Sequence, residues 1–363
     1  RHPDYPDGLA FFDTKHNCAA ILGMSYFGEI KKGTLTLAWA TAARNNYVSC
    51  HGGLKIFRKE GASYVASFFG LSGSGKSTLT HAKHDDKYDI EVLHDDAFVI
   101  SVEDGSSVAL EPSYFDKTND YPAGHREQDY FVTVQNCGVT LDENGRKVLV
   151  TEDIRNGNGR TVKSRYSTPN RVDKIKEPIQ SIFWIMKDDA LPPLVKITDP
   201  RLASILGCTL MTKRSNAENT GAGANLDALV IEPYANPFRV YPLVEDYEKF
   251  KALFDKNVDC YIINTGDFLG KKVTKEVSLG VIETIVDGKA NFELFGGLPG
   301  MEYLPVEGYE VPEMSGDYAE LIRDRMQFRL DYLKAFNDAN PEHQIPQDAL
   351  ESIKTIERFI DVL

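Results

Sequence analysis

The sequence has little that would carry the chain into a membrane. No run of it approaches the roughly 20 apolar residues that a membrane span needs. The first residues, RHPDYPDGLAFFD, have no basic segment followed by an apolar stretch, so they do not have the pattern of a secretory signal. These absences predict a soluble protein.

Paired cysteines and positive charge are scarce as well. The five cysteines are scattered and never form a CxxC pair, which argues against a zinc site and is typical of a reducing compartment; they are Cys18, Cys50, Cys137, Cys208 and Cys260. The net charge of −13 argues against nucleic-acid and membrane-surface partners, because a polyanion would be repelled. We therefore expect a cytoplasmic protein, in which a local group of cations would hold any anionic substrate.

The 363 residues, 42% of them hydrophobic and 26% charged, have the composition of a globular protein of one large or two modest domains. Short apolar runs separated by turn residues predict strands, and they include residues 16–57 as a series of strands and turns. Further strands are predicted at 62–69, 91–93, 97–102, 179–186 and 259–264, hairpins about the turns at 103–107 and 142–147, and helices at 317–336 and 349–363. The polar residues 151–178 are expected to form a long connection, and the Gly- and Asn-rich residues 212–226 a mobile lid.

The stretch SFFGLSGSGKSTLTHAKH, residues 67–84, contains the pattern G-x-x-x-x-G-K-[ST] between a predicted strand and a predicted helix. Glycines allow backbone N–H groups to converge on phosphate oxygens, the lysine reaches the terminal phosphates, and the serine hydroxyl can bind Mg²⁺. A chance glycine-rich turn is the alternative. The pattern predicts an ATP site made of Gly70, Leu71, Ser72, Gly73, Ser74, Gly75, Lys76, Ser77 and Thr78.

A phosphate-binding loop of this kind needs a second carboxylate for the metal ion, usually at the end of a neighbouring strand. Asp95 and Asp96 in EVLHDDAF follow an apolar run directly, about twenty residues after the loop. A solvated turn that carries two acids is the alternative. Because the phosphate loop lies shortly before them in the sequence, we interpret Asp95 and Asp96 as metal ligands.

These motifs resemble those of ATP-dependent phosphoenolpyruvate carboxykinase, whose loop reads much like GLSGTGKTT. ILGMSYFGEIKKG is similar to a family segment that ends in Y-x-G-E-x-K-K-G, and VSCHGG places His51 where the family has a metal-binding histidine. The resemblance implies that Lys32, His51 and Asp96 hold Mn²⁺. Lys32 would then have to be neutral, because an ammonium cannot bind a metal ion. Taken alone, the lysine pair would be a solvated surface pair, and the histidine a structural residue.

Further segments extend the resemblance to residues 20–340. EPSYFDKT resembles a family strand that ends in Y-A-K-T, which makes Lys117 a contact of the transferred phosphoryl group. SRYSTPN resembles T-R-x-S-Y-P and implies a catalytic Arg165, with Arg160 as the rival. INTGDFLGKKVTKEVS resembles a region that lines the family's adenine pocket, and so implies Lys272 and Ser278 at the adenosine.

The fold that the resemblance implies is a mixed α/β (α+β) phosphate-loop domain with a strand-rich mixed sheet and C-terminal helices. Residues 51–363 would form the catalytic domain, including the lid at 212–226 and the helices at 316–363. Residues 1–50 would be the remnant of an N-terminal lobe and the segment between the lobes, and the chain is expected to be a fragment; a rebuilt substrate pocket is the alternative.

The implied activity is the conversion of oxaloacetate and ATP to phosphoenolpyruvate, CO₂ and ADP, with Mg²⁺ and Mn²⁺. The sequence departs from the family in several motifs. HGGLKI occurs in place of H-C-S-A-N, and HDDAFVI lacks the G-D-D-E-H-G-W continuation. NTGD lacks the family's tryptophan, and Lys272 occurs in place of an arginine. Two alternatives therefore stay open. One is a kinase on the same scaffold that phosphorylates another small molecule or a protein serine, and the other is a homologue that binds ATP without turnover.

Overall fold

The computed structural model describes residues 3–6, 8–24, 27–71, 73–111, 113–118, 121–125, 128–131, 137–150, 160–163, 168–213 and 228–363. The elements of the first part are β1 (Leu9–Asp13), β2 (Cys18–Leu22), α1 (Phe27–Arg44), β3 (Tyr47–His51), β4 (Gly53–Lys59), β5 (Ala62–Phe69), α2 (Lys76–His81), β6 (Asp89–His94), β7 (Ala97–Ser101), β8 (Ser107–Ala109), β9 (Tyr114–Lys117), α3 (Gln128–Phe131), β10 (Val139–Leu141), β11 (Lys147–Leu149) and β12 (Arg160–Lys163).

The elements of the second part are β13 (Lys174–Ile175), β14 (Ser181–Met186), β15 (Leu194–Ile197), α4 (Pro200–Cys208), β16 (Met211–Lys213), β17 (Leu229–Ile231), α5 (Leu243–Phe254), β18 (Asp259–Asn264), β19 (Asp267–Phe268), β20 (Lys271–Lys272), α6 (Lys275–Val286), β21 (Glu293–Leu294), β22 (Met301–Tyr303), α7 (Gly316–Ala339) and α8 (Gln347–Asp361). The predicted fold class, a mixed sheet with C-terminal helices, is confirmed.

The central sheet has eight strands in the order β21-β22-β15-β18-β14-β5-β4-β6. Strands β5, β14 and β18 run parallel, and the other pairings in this sheet are antiparallel. All six residues of β14, SIFWIM, are buried, as expected for a parallel strand covered on both faces. Because the three parallel strands end at the same edge, the residues that follow them, Gly70, Lys187 and Thr265, lie at one place in the fold.

A second sheet of four strands, in the order β13-β8-β7-β3, lies beside α1. It carries the two segments on which the predicted metal ligands lie: β3 ends at His51, and β7 begins directly after the Asp95–Asp96 pair. His51 and Ala97 are backbone partners in this sheet. The register therefore brings the histidine next to the acid turn, although the two are far apart in sequence.

The prediction of strands and turns throughout residues 16–57 is wrong for residues 27–44, which form α1. The segment TLTLAWATAA alternates threonine with apolar residues, and this suggested a strand. The residues of the segment that pack in one core cluster, Leu35, Trp39 and Ala42, have helical spacing instead. Two threonine hydroxyls donate to carbonyls one turn back, Thr36 to Lys32 and Thr41 to Leu37, which satisfies them within the helix.

The described part of residues 151–178 also differs from the predicted connection, because it contains β12 and β13. These strands pair with β9 and β8, so part of the segment is held by ladder hydrogen bonds. Strand β16 contains the first two residues of the predicted lid, Thr212 and Lys213, and forms an antiparallel pair with β17, which follows the lid. Residues 214–227 lie outside the described residues, and the lid stays a prediction.

The C-terminal helices α7 and α8 occur where they were predicted, and they pack against each other. The predicted boundary between residues 50 and 51 falls inside β3, and the division into two parts stays a prediction. Within the described ranges, none of the helices has both the length and the apolar character that crossing a bilayer requires.

Candidate active site

The phosphate-loop motif has the predicted structure of strand, loop and helix: β5, residues 70–75 and α2. Gly75 has a φ of 101°, a conformation that favours glycine, and the N–H of Ser74 donates to the carbonyl of Leu71 at 3.0 Å. The helix lies directly on β4, because a Cβ atom at Gly53 would be 1.8 Å from the Thr80 hydroxyl oxygen. Of the predicted loop residues, Ser72 alone lies outside the described ranges.

Lys76 is the first residue of α2, and Ser77 and Thr78 follow it with exposed side chains. Burial lowers the pKa of Lys76, while the charges of Asp96 and Asp95 oppose that shift. The loop therefore places its lysine where it is influenced by both members of the predicted acid pair.

Asp96 gathers three nitrogen groups. Its carboxylate lies 2.7 Å from the Lys32 ammonium, 2.8 Å from that of Lys31 and 3.0 Å from Nε2 of His51. Burial raises the pKa of Asp96, but the contact with His51 and the charge of Lys32 outweigh it and hold the pKa well below its ordinary value. The structure thus brings together the three residues predicted to hold Mn²⁺.

The pKa values of the two neighbouring lysines shift in opposite directions. The pKa of Lys31 is raised, because Asp96 and Glu111, the latter at 3.2 Å, outweigh its burial. The pKa of Lys32 is lowered, because burial outweighs the attraction of Asp96 and the charge of Lys31 adds to it. The direction of these shifts agrees with the prediction that the second lysine of the pair is the one that binds as a neutral amine.

The ring of His51 is held in one orientation by a contact with the main chain of Ala235. Its Nδ1 lies 2.5 Å from the carbonyl oxygen of Ala235, so this nitrogen donates and Nε2 carries the lone pair of a neutral ring. Burial, together with the charges of Lys76 and Lys32, lowers the pKa of His51 to about 4. In that state the lone pair of Nε2 faces a carboxylate oxygen of Asp96 at 3.0 Å, and a cation satisfies both acceptors.

The donor set of Lys32, His51 and Asp96 therefore fits a metal ion that accepts amine, imidazole and carboxylate ligands, as Mn²⁺ does. Among the described residues no group of three or more histidine, cysteine, aspartate or glutamate side chains could hold a metal ion. The present set is consistent with that finding, because its third member is a lysine.

Asp95 is paired with the phosphate-loop helix. Its carboxylate lies 3.2 Å from Nε2 of His81, in α2. Burial raises the pKa of Asp95, but the hydrogen bond and charge of His81 lower it by more, so the carboxylate stays ionised. Asp95 thus lies on the α2 side of the acid pair and Asp96 on the Lys32 side, and its role as a metal ligand stays a prediction.

Several residues of the site were not predicted from the sequence. Nδ1 of His94 accepts hydrogen bonds from the N–H groups of Asp96 and Ala97, which fixes the acid turn. The ring of Phe238 lies 4.8 Å from the Lys32 ammonium and 5.5 Å from the His51 ring. His94 could have been found because it directly precedes the two aspartates; nothing in the sequence near Phe238 or Ala235 indicates a role.

The predicted phosphoryl-transfer residues are only partly described. Lys117 and Arg160 are directly opposite each other in the pairing of β9 and β12, but their side chains lie outside the described part of the structure. Arg165 lies outside it altogether. Their roles stay predictions.

The two predicted adenosine contacts differ in position. The Lys272 ammonium is 3.3 Å from the carbonyl of Thr265, whose hydroxyl donates to the phosphate-loop carbonyl of Ser74 at 2.7 Å. Lys272 is therefore connected to the loop through one intervening residue, Thr265. The buried Ser278 hydroxyl donates to the carbonyl of Thr274, next to α6, and its role as a ligand stays a prediction.

Comparison with known proteins gives the same family as the motifs. The family profile described as phosphoenolpyruvate carboxykinase matches residues 5–315. The phosphoenolpyruvate carboxykinase (ATP) of Aeropyrum pernix is 25% identical over 363 aligned positions, which cover 90% of this chain and 70% of the relative.

Two further relatives are similarly distant. The glycosomal phosphoenolpyruvate carboxykinase (ATP) of Trypanosoma brucei brucei is 24% identical over 305 positions, 76% of this chain and 60% of the relative. The phosphoenolpyruvate carboxykinase (ATP) of Campylobacter jejuni strain 81-176 is 26% identical over 316 positions, 80% of this chain and 57% of the relative. The chain thus spans 57 to 70% of the length of these curated relatives.

Proposed function

The chain belongs to the ATP-dependent phosphoenolpyruvate carboxykinase family, and from this premise we propose that it converts oxaloacetate and ATP to phosphoenolpyruvate, CO₂ and ADP. The observation that carries the proposal is the set of contacts about Asp96. A partly buried carboxylate within 3.0 Å of Lys32 and His51, beside a phosphate loop, supports a metal site next to a nucleotide site.

Lys32, His51 and Asp96 are the residues that hold Mn²⁺ in this proposal, and Ser77 with Asp95 are those that hold Mg²⁺. When bound, the metal ions supply Lewis-acid stabilisation of the charge that develops on oxaloacetate and on the phosphates. The contribution of the chain is to fix the ligands. The hydrogen bond from His51 to Ala235 sets the tautomer, and burial lowers the pKa of Lys32, which is the direction that favours a neutral amine.

On the nucleotide side, the loop of residues 70–78 binds the phosphates through backbone N–H groups, and Lys76 neutralises charge on the terminal phosphates. Lys272 stands beside the loop, at Thr265, and lies on the adenosine side in this proposal. Lys117 and Arg165 are proposed to contact the transferred phosphoryl group. Excluding water from the site would protect the reactive product of decarboxylation from protonation.

The proposed partners are small molecules, namely ATP and a dicarboxylate, and the proposed compartment is the cytoplasm. The absence of a disulfide among the five cysteines, all of them described, supports a reducing compartment. The Trypanosoma brucei brucei relative is named as glycosomal, so the cytoplasm is not the compartment of every relative.

The activity is tested by supplying the purified chain with Mn²⁺, Mg²⁺, ATP and oxaloacetate and measuring phosphoenolpyruvate and ADP. We expect the two products in equal amounts, and a loss of at least about 10²-fold in Lys76→Ala, because the phosphates lose their counter-charge. Lys256→Met is the matched control, since Lys256 contacts Val102 and Glu103 and is remote from the loop. ADP without phosphoenolpyruvate would contradict the proposal in favour of a kinase with another acceptor. ADP binding without turnover would favour a non-catalytic homologue.

A further inference from the structure

Two side chains from the edge of the central sheet hold successive carbonyls of the phosphate loop. Lys187 follows β14, and its ammonium donates to the carbonyl of Gly73 at 2.8 Å. Thr265 follows β18, and its hydroxyl donates to the carbonyl of Ser74 at 2.7 Å. Lys187 belongs to none of the motifs that mark the nucleotide site in the sequence.

Holding these carbonyls fixes the direction of the N–H groups that follow them. A trans peptide is planar, so the carbonyl of one residue and the N–H of the next point in opposite directions. When Lys187 holds the carbonyl of Gly73, the N–H of Ser74 is aimed away from it, and that N–H closes the loop on Leu71 at 3.0 Å. When Thr265 holds the carbonyl of Ser74, the N–H of Gly75 is aimed away from Thr265. Loops of this kind bind phosphate through such N–H groups.

The main chain of Lys187 is itself anchored, so the ammonium is delivered from a defined position. Its N–H donates to the Thr212 hydroxyl at 3.0 Å, and its carbonyl accepts from the N–H of Lys213 at 3.3 Å. Both partners belong to β16. Lys187 therefore joins three parts of the molecule: the end of β14, the strand β16 and the phosphate loop.

We propose that Lys187 is a positioning residue of the nucleotide site, which holds the carbonyl of Gly73 and so presents the loop to phosphate before the nucleotide arrives. The proposal rests on the proposed function only in requiring that the loop binds a nucleotide. A preformed loop loses less conformational freedom when the ligand binds, so its affinity is higher than that of a loop that must be ordered.

The test is the affinity for Mg-ADP, measured by calorimetry on the 363-residue chain. Lys187→Met is expected to weaken binding about tenfold, equivalent to about 1.4 kcal/mol. Lys187→Arg, which can still donate to the carbonyl, is expected to stay within about threefold of the unchanged chain. Lys256→Met is the control for the loss of a lysine that donates to backbone carbonyls, and it is expected to leave the affinity unchanged.

A variant of Thr265 distinguishes an effect of positioning from an effect of charge, because the Thr265 hydroxyl is neutral and donates to the next carbonyl, that of Ser74. Thr265→Val is expected to weaken Mg-ADP binding about as much as Lys187→Met, and Thr265→Ser to preserve it. If Lys187→Met weakens binding and Thr265→Val does not, Lys187 acts on the phosphates through its charge and the positioning proposal is wrong. Unchanged affinity in Lys187→Met also overturns it.

A structural effect on the whole fold is distinguished by urea unfolding of the same variants. The proposal predicts that Lys187→Met and Lys256→Met lose similar, small amounts of stability, while the affinity of Lys187→Met alone falls. An affinity that falls only in proportion to stability overturns the proposal. Failure of the unchanged chain to bind Mg-ADP overturns both this proposal and the proposed function, whereas normal binding in every variant overturns this proposal alone.

Discussion

Two lysines of this chain, the partly buried Lys32 and the fully buried Lys55, lie in contrasting surroundings. Burial lowers the pKa of both, and that of Lys55 falls to about 7. Lys32 shares the carboxylate of Asp96 with Lys31 and His51, so two ammonium groups and one imidazole ring converge on one carboxylate. Lys55, in β4, has no exposed surface, and its ammonium meets several separate acceptors.

The partners of Lys55 all belong to the protein. Its ammonium donates to the carbonyls of Leu79 and Ala82 at 2.6 and 3.2 Å and lies 2.9 Å from Nε2 of His84. His84 in turn lies 2.9 Å from the carboxylate of Glu283. These carbonyls lie at the end of α2, where a positive charge also complements the helix dipole. Lys55 therefore provides hydrogen-bond donors for the carbonyls at the C-terminal end of the phosphate-loop helix.

The comparison teaches how to separate a functional buried charge from a structural one. Around Lys55, each of the three ammonium protons has its own acceptor, so the cluster is complete without a ligand. Around Lys32, the lone pair of His51 faces the carboxylate of Asp96, and two lysines contact the same carboxylate. A cluster that needs a further cation to satisfy its acceptors is the one to expect at an active site.

The largest expected effect is on activity at the Lys32 cluster. Lys32→Met is expected to lower turnover at least about 10²-fold, because a metal ligand is lost. Its stability is expected to change by less than about 1 kcal/mol, since repulsion from Lys31 is relieved and Asp96 keeps two partners. His51→Ala should weaken the Mn²⁺ dependence of turnover and leave Mg-ADP binding nearly intact. Unchanged Mn²⁺ dependence in both variants would remove these residues from the metal site.

At Lys55 we expect the opposite result, a loss of stability without a change in the metal dependence of turnover. Lys55→Met is expected to lower the free energy of unfolding by about 1–3 kcal/mol at pH 7, because the carbonyls of Leu79 and Ala82 lose their buried donor. The Mn²⁺ concentration that gives half-maximal turnover should not change. Urea unfolding and a metal titration measure the two quantities, and Lys256→Met is the matched control. A stable Lys55→Met variant would show that the cluster does not support α2.

The smallest expected effect is in the dependence of stability on pH. The pKa of Lys55 is about 7 in the folded chain and ordinarily 10.5, so between these values the unfolded chain binds more protons at this residue. The free energy of unfolding therefore rises with pH in this window, by about 1 kcal/mol between pH 7 and pH 8. Lys55→Met should lack this increment in urea unfolding at the two pH values. If the free energy of unfolding of Lys55→Met rises equally between the two pH values, a group other than Lys55 is responsible for the pH dependence.

The sequence was informative where function depends on local order along the chain. The loop of residues 70–78 was predicted because strand, glycines, lysine and helix are contiguous, and Lys32, His51 and Asp96 because each lies in a motif of its own. Phe238 and the carbonyl of Ala235 were not found, since Ala235 meets His51 across 184 residues of sequence through packing alone. Lys55 was missed for a similar reason. In HGGLKIF it looks like a surface residue of an alternating strand, and its acceptors lie 24 to 29 residues away.

The error at α1 has a different physical cause. Threonine favours strands because its branched side chain is restricted in a helix, but in α1 its hydroxyl finds an acceptor one turn back and is not left without a partner. Local preference was therefore outweighed by the packing of Leu35 and Trp39 against the second sheet. The structure does not test Arg165 or the side chains of Lys117 and Arg160, so the phosphoryl-transfer residues rest on the sequence motifs alone.

The contact between Gly53 and Thr80 has a consequence for how this sequence can diverge. Position 53 has no room for a side chain while a threonine occupies position 80, because the two residues share the space between β4 and α2. A larger residue at position 53 thus requires a smaller one at position 80, or a displaced phosphate-loop helix. Covariation of these two positions among relatives would mark the members whose α2 lies equally close to the sheet.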